Sequence, residues 1–432
     1  MDTGTGEAMS KSDGDKALAS AVRQFVRQGF EPRFGEGAEG AVSEPAWRRL
    51  REIGTELWLD TGSIDDASAL WTREFSALTT NNTLLNREVQ TGRYDDLIGK
   101  AAALLYPHGL SERERLLEIA FILNATHGLR LVETFDAYVS VEEHTDLAND
   151  LDAAVAVARR YHAICSERFI IKIPFTPAGL LATRRLSQEQ IPVNHTLGFS
   201  ARQNYLIARV GRPAYVNVFL GRLNSFVADN ALGTGTYVGE KATLASQQAL
   251  RLLRRDYGVT TRQIGASFRS GEQVRDLAGI DVMTIPPKVA KGFLDLKASP
   301  DEVGDKTSTA YTPGLNKGVD PATARLDTLW DVGPDLAACI DALEKDCLDS
   351  FSADDLVDFL AEHGCGDIFP RWTDEQRATS ATDGKIPVLD HWRDELAAKA
   401  VGLDSLMNLA GLNSFIADQK DMDDRVAGVL AK

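Results

Sequence analysis

Nowhere in its 432 residues does the chain hold an uninterrupted apolar run of ~18 residues, the length a membrane-spanning helix requires. The opening segment MDTGTGEAMSKSDGDK lacks the basic-then-apolar order of a signal peptide, so a cytoplasmic location is expected. Cysteine is scarce. Cys165, Cys339, Cys347 and Cys365 form no CxxC pair, which excludes a disulfide framework or a zinc ribbon and leaves free thiols. The 7 histidines show no HExxH or other metal-ligand spacing. No GxGxxG follows the first strand candidate, and no Walker loop is present. Basic residues are outnumbered, 47 against 63 acidic ones, for a net charge of −16. That balance argues against the clustered basic face needed by a nucleic-acid or anionic-membrane partner. It leaves room for a small anionic substrate, because two or three cations focused in one pocket suffice.

A hydrophobic fraction of 44% over this length can bury a large core. From residue 55, short apolar or β-branched runs alternate with stretches of helical periodicity. The runs are TELWLD (55–60), SALTTN (76–81), RLVETFDAYVSVE (130–142), RFIIKIP (168–174), IPVNHTLGF (191–199), AYVNVFLG (214–221), TRQIGASF (261–268) and DVMTIPP (281–287). Eight strands and intervening helices over about 240 residues predict an α/β protein, a (β/α)8 barrel, ahead of an open doubly wound sheet. Around the barrel at 51–299, the composition predicts an N-terminal arm at 1–50, its first 16 or so residues frayed and the rest helical. It also predicts a mostly helical insertion with a long polar loop at 300–400, and a C-terminal helix at 401–432 that packs on the barrel.

In such a barrel, chemistry gathers at the C-terminal ends of the strands, where alternate residues point inward. The polar residues there are Asp60, Thr79, Asn81, Ser140, Glu142, Lys172, Asn194, Thr196, Asn217, Ser267 and Arg269. The pairs Thr79/Asn81 and Asn194/Thr196 share a face by their i, i+2 spacing, which turns His195 toward the helical layer. A lysine in an apolar strand is most often a structural ion-pair partner. Lys172 stands among enough strand-end polar groups to be read otherwise: desolvation favours its neutral amine, a nucleophile toward carbonyls, and Asp60 and Glu142 supply proton transfer. Arg222 and Arg269, each following a strand, have the guanidinium fork that suits phosphate. Lys288, beyond the eighth run, is the competing nucleophile.

The segments LWLDTG, LTTNNTLL, VSVE, KIPFTPAG, VNHTLGFSARQ, FLGR, ASFR and LAGIDVMTIPP resemble the transaldolase family in order and approximate spacing. GLNSFIADQKDMDDRVAGVL is similar to that family's last helix. The resemblance implies that Lys172 forms a Schiff base with a ketose phosphate, and that Glu142 works through a water held also by Thr196 and Asp60. It implies that Asp60 takes the proton of the hydroxyl beside the breaking bond, that Asn81 and Asn194 hold the three-carbon unit, and that Arg222, Ser267 and Arg269 hold the phosphate. It also implies that neither a metal nor an organic cofactor is needed, since an iminium would serve as the electron sink. Sedoheptulose 7-phosphate or fructose 6-phosphate would donate dihydroxyacetone to an aldose phosphate in the pentose phosphate pathway; monomer and homodimer both remain open. Two departures stand out: Asn82 where the family usually has proline, and Asn217, Val218 and Phe219 where it has SPF. Glu142 with Phe219 is the transaldolase pair; the related fructose 6-phosphate aldolases typically carry glutamine and tyrosine there. The departures and the insertion also admit a related Schiff-base enzyme acting on a modified sugar. A silent scaffold is disfavoured, because three buried charges would cost desolvation without return.

Overall fold

The computed structural model describes residues 11–299 and 301–432. Eight parallel strands close into one barrel in sequence order. They are β1 (Glu56–Asp60), β2 (Phe75–Thr79), β3 (Tyr138–Glu142), β4 (Phe169–Pro174), β5 (Val193–Thr196), β6 (Tyr215–Phe219), β7 (Arg262–Ala266) and β8 (Val282–Ile285). All six residues of β4 are buried, because Ile171 and Ile173 face the helical layer while Lys172 faces the interior.

Strands β2 and β5 stop short of the runs that announce them, and polar residues just beyond the strands cap helices. Asn81, Thr176 and Ser200 follow β2, β4 and β5, and each side chain accepts a backbone N–H of the helix it opens: Asn82–Gln90, Pro177–Gln188 and Ala201–Val210. The run at 130–142 divides differently from expectation. Its first half ends the helix Glu112–Phe135, where Leu131, Val132 and Phe135 are buried at helical spacing, and only Tyr138–Glu142 is strand. Residues 11–16, expected to fray, belong to the helix Lys11–Val26; residues 1–10 of that expectation lie outside the described residues.

The N-terminal end of the barrel is plugged. Glu56 accepts from Trp58 Nε1 at 2.8 Å and Ser76 Oγ at 2.7 Å and pairs with Arg262, while Trp58 packs edge-on to Tyr215 at 4.8 Å. The opposite end is left open and is covered from outside.

That cover comes from the C-terminal third. After a loop with few regular elements, the helices Pro334–Leu343, Ala353–Glu362 and Asp374–Asp383 lie along the barrel's flank. Arg202 joins Asp367 at 3.0 Å and Asp404 at 2.7 Å, and Phe175 stacks on Phe369 at 4.7 Å. The final helix, Leu403–Leu430, packs against Asn82–Gln90 and is tied to the helix Asp95–Leu105 by Arg425 and Asp95 at 2.6 Å. Among the described residues, no helix is long and apolar enough to cross a membrane.

Candidate active site

Strand register builds the centre of the site. Glu142 pairs with Lys172, and Lys172 with Asn194, so one rung across β3, β4 and β5 carries a carboxylate, an amine and an amide. Lys172 Nζ lies 3.6 Å from Glu142 Oε1 and donates to Thr80 O at 3.3 Å. A neighbouring rung aligns Asp60, Thr79 and Ser140 across β1, β2 and β3.

A cavity of about 880 Å³ opens at the C-terminal ends of the strands. Asp60, Thr79, Asn81, Lys172, Asn194 and Thr196 line it, and so do Asn217, Phe219, Arg222, Ser267 and Arg269. Two of the residues singled out from the sequence do not reach its wall. Ser140 stands behind Asn194, accepting from its Nδ2 at 3.1 Å. Glu142 stands behind Lys172 and borders instead a separate cavity of about 200 Å³ among the surrounding helices. His195 turns to the helical layer, with Nδ1 2.8 Å from Thr183 Oγ1.

The amides are partly committed. Asn81 Oδ1 caps its helix at Leu84 N, 2.8 Å away, and its Nδ2 has no hydrogen-bond partner among the described residues. Asn217 donates to Asn194 Oδ1 and His195 O, both at 3.2 Å, and accepts from Gly198 N at 3.2 Å. It therefore orients Asn194 and the turn after β5. The hydroxyl of Thr196 is buried with no partner among the described residues.

Burial sets the protonation of the acids. It pushes the Asp60 carboxyl up to about 6 against the pull of Lys172 and Arg269. It also raises Glu142, while Lys172 and then the Asn82 N–H hold it back. Burial, and then the charge of Arg269, bring Arg222 down to about 10. Gly221 places this arginine pair: a Cβ there would lie 2.1 Å from Ser267 O and 2.8 Å from Arg269 Cγ, so only glycine lets the β6 and β7 loops meet.

The structure adds residues that the sequence did not single out. Arg87, Lys291 and Lys385 join Lys288, Arg222 and Arg269 around the cavity, against the carboxylates Asp60, Asp66 and Asp295. The cavity is thus locally cationic in a protein of net charge −16. Lys385 belongs to the turn after Asp374–Asp383, so the C-terminal addition contributes to the cavity wall. Phe415 of the last helix lies 5.6 Å from Lys172 Nζ and 5.7 Å from Arg222 Cζ, ring centroid to charge. Periodicity could have marked Phe415 as a buried helix position. Nothing local could have aimed Lys385. Among the described residues no cluster of three or more His, Cys, Asp and Glu could hold a metal ion.

Fold and site define a (β/α)8-barrel protein whose C-terminal cavity holds, under a cationic rim, a buried lysine backed by a carboxylate. The chain belongs to the transaldolase/fructose-6-phosphate aldolase family, whose profile matches residues 57–358. It is 33% identical over 298 residues to a transaldolase of Xanthomonas euvesicatoria pv. vesicatoria, covering 64% of this chain and 90% of that one. A transaldolase of Xanthomonas campestris pv. campestris is 34% identical over 266 residues, covering 58% and 80%. One from Glaesserella parasuis is 28% identical over 255 residues, covering 58% and 79%.

Proposed function

We propose that this protein is a transaldolase that moves a dihydroxyacetone unit from a ketose phosphate to an aldose phosphate through an imine on Lys172. The observation that carries this reading is the buried Lys172–Glu142 pair, 3.6 Å apart, with Lys172 on the cavity wall and Glu142 directly behind it. The Lys172 amine adds to the ketose carbonyl, and loss of water, with Glu142 transferring protons through a water near Thr196 and Asp60, leaves an iminium. Asp60 takes the proton of the neighbouring hydroxyl as the carbon–carbon bond breaks, and the electron pair enters the iminium to give an enamine. An acid raised to about 6 suits reversible proton transfer near neutrality. The aldose phosphate departs, the enamine attacks an incoming one, and water releases the product.

Asn81 and Asn194 hold the hydroxyls of the three-carbon unit, the latter oriented by Asn217, while Phe219 packs beside Arg222 at 5.4 Å. Arg222, Ser267 and Arg269 receive the phosphate. Family membership and the transaldolases it resembles support placement in the cytoplasmic pentose phosphate pathway. The entry of Lys385 into the cavity favours a second reading, in which the same chemistry serves a sugar modified at its anionic end.

The test is reductive trapping. Incubation with fructose 6-phosphate and borohydride, followed by peptide mapping, places the adduct on Lys172; an adduct elsewhere, for instance on Lys288, overturns the assignment. Product release that requires an added aldose phosphate separates transfer from simple aldol cleavage, and comparison with sulfonated sugars separates the two readings.

A further inference from the structure

Asn82 opens the helix Asn82–Gln90, and its backbone N–H donates to Glu142 Oε2 at 3.1 Å. The other carboxylate oxygen faces Lys172 Nζ at 3.6 Å. Glu142 is thus held at both oxygens, by a cation on one side and a main-chain donor on the other. The first N–H groups of a helix have no acceptor within it and carry partial positive charge. Here the Asn81 side chain takes that of Leu84, and Glu142 takes that of Asn82.

We propose that Asn82 is a positioning residue: its main-chain N–H fixes the Glu142 carboxylate against Lys172. A donor on this oxygen favours the charged carboxylate, so the bond extends proton transfer by Glu142 to lower pH. This inference rests on the reading of Glu142 as the proton carrier of imine formation. The proline that the family usually has at this position has no N–H to give, so the Asn82 departure adds a hydrogen bond to the reacting carboxylate.

The other groups facing Glu142 leave this bond distinct. Lys172 approaches from β4 and Asp60 from β1. Glu143 follows it in the chain; burial pushes this carboxyl up to about 8, so it is neutral near pH 7, and neither oxygen has a partner among the described residues. Across the smaller cavity lie Asp15, Glu114 and Tyr161, with Arg160 paired to Glu118 at 2.6 Å and His144 to Asp423 at 3.2 Å.

Two substitutions separate the backbone from the side chain. Asn82→Ala keeps the N–H and loses only the Nδ2 contact to Glu143 O at 3.4 Å. Asn82→Pro loses both, yet fits: proline is favoured at the first helical position, and Asn81, at φ −160° and ψ 172°, is already extended as a residue before proline must be.

The probe is dihydroxyacetone with cyanoborohydride, because imine formation then proceeds without carbon–carbon cleavage and without the proton transfer assigned to Asp60. The rate of adduct formation on Lys172 is measured against pH. Asn82→Ala is expected to follow the wild-type acid limb, and Asn82→Pro to move it upward by about one pH unit, the scale of one hydrogen bond to a charged group. Coincident limbs for Asn82→Pro and wild type, with the adduct on Lys172 retained, overturn the role of Asn82 alone. Absence of a Lys172 adduct in the wild-type protein overturns the Schiff-base reading instead. Should Asn82→Pro not fold, the Asn82 amide of the 15N-asparagine-labelled wild type decides: its shift is expected to titrate with the acid limb and to lose that titration in Glu142→Gln. A flat amide shift across the limb overturns the proposal.

Discussion

Lys172 and Glu142 are register partners on β4 and β3, and each side chain is only 3% exposed, with 3.6 Å between amine and carboxylate. Such a pair is kept together by the penalty of separating it more than by its own strength. Removing one partner leaves a buried charge alone, which costs about 3–5 kcal/mol, whereas replacing both can be nearly neutral. Lys172→Met is therefore expected to lower unfolding free energy by roughly 3 kcal/mol, and Lys172→Met/Glu142→Gln to recover most of that loss. Lys172→Arg, which retains the charge, stays folded and inactive. Urea denaturation and a coupled transfer assay read these outcomes; additive single effects would show that the pair is not coupled.

The Asp60 carboxyl, raised to about 6, makes a signed prediction. As the folded-state value lies above the unfolded one, its contribution to stability is fully present below about pH 4 and is lost as pH rises through about 6. Asp60→Asn removes that dependence. Thermal melts of this variant are expected to gain on the wild type between pH 4 and 7, while turnover falls by at least about 100-fold, the range of a lost general base.

Glu143 behaves similarly with a higher midpoint, about 8, and has no assigned part in the reaction. Glu143→Gln is expected to leave turnover near pH 7 intact, because glutamine resembles the protonated acid already present. Relative to wild type it gains stability as pH rises from 5 to 9, on the order of a few kcal/mol by linkage. Denaturation midpoints at the two pH values check this; equal differences at both would place the titration elsewhere.

Gly221 separates phosphate recognition from imine chemistry. A Cβ at this position meets Ser267 O at 2.1 Å and Arg269 Cγ at 2.8 Å. Gly221→Ala is expected to raise KM for phosphorylated sugars about tenfold or more, the equivalent of ~1.4 kcal/mol, while dihydroxyacetone still labels Lys172 under reduction.

The cationic rim predicts salt dependence. Lys385 makes no ion pair among the described residues and faces the cavity from the C-terminal addition. Lys385→Glu is expected to raise KM for a sugar phosphate by about threefold to tenfold at low ionic strength, with the difference shrinking above ~0.3 M salt as screening takes over. An effect that salt does not change would point to a structural role for the turn that carries Lys385.

How far the letters alone reached depended on the kind of signal. Parity along a strand is local, so FIIKIP already set Lys172 opposite its apolar neighbours, and VNHT set Asn194 and Thr196 on one face with His195 on the other. The run at 130–142 misled because apolar residues that end a buried helix and begin a strand look alike without the turn at Asp136, whose φ is 49°. Glu142 was visible as a strand-end acid, but its place behind Lys172, outside the main cavity, depends on the rung formed by two neighbouring strands.

Sequence alone determined the alternation of strands and helices, which residues share a face of each strand and the residue types available at its end, since these follow from periodicities of two and 3.6 residues. Closure of the sheet decided the rest. It brought seven strand ends and the last helix to one cavity, placed the Asn82 N–H on Glu142, carried Lys385 across roughly 200 residues into the cavity that holds Lys172, and left Ser140 behind Asn194. Those contacts join segments far apart in the chain, and only packing determines which of them meet.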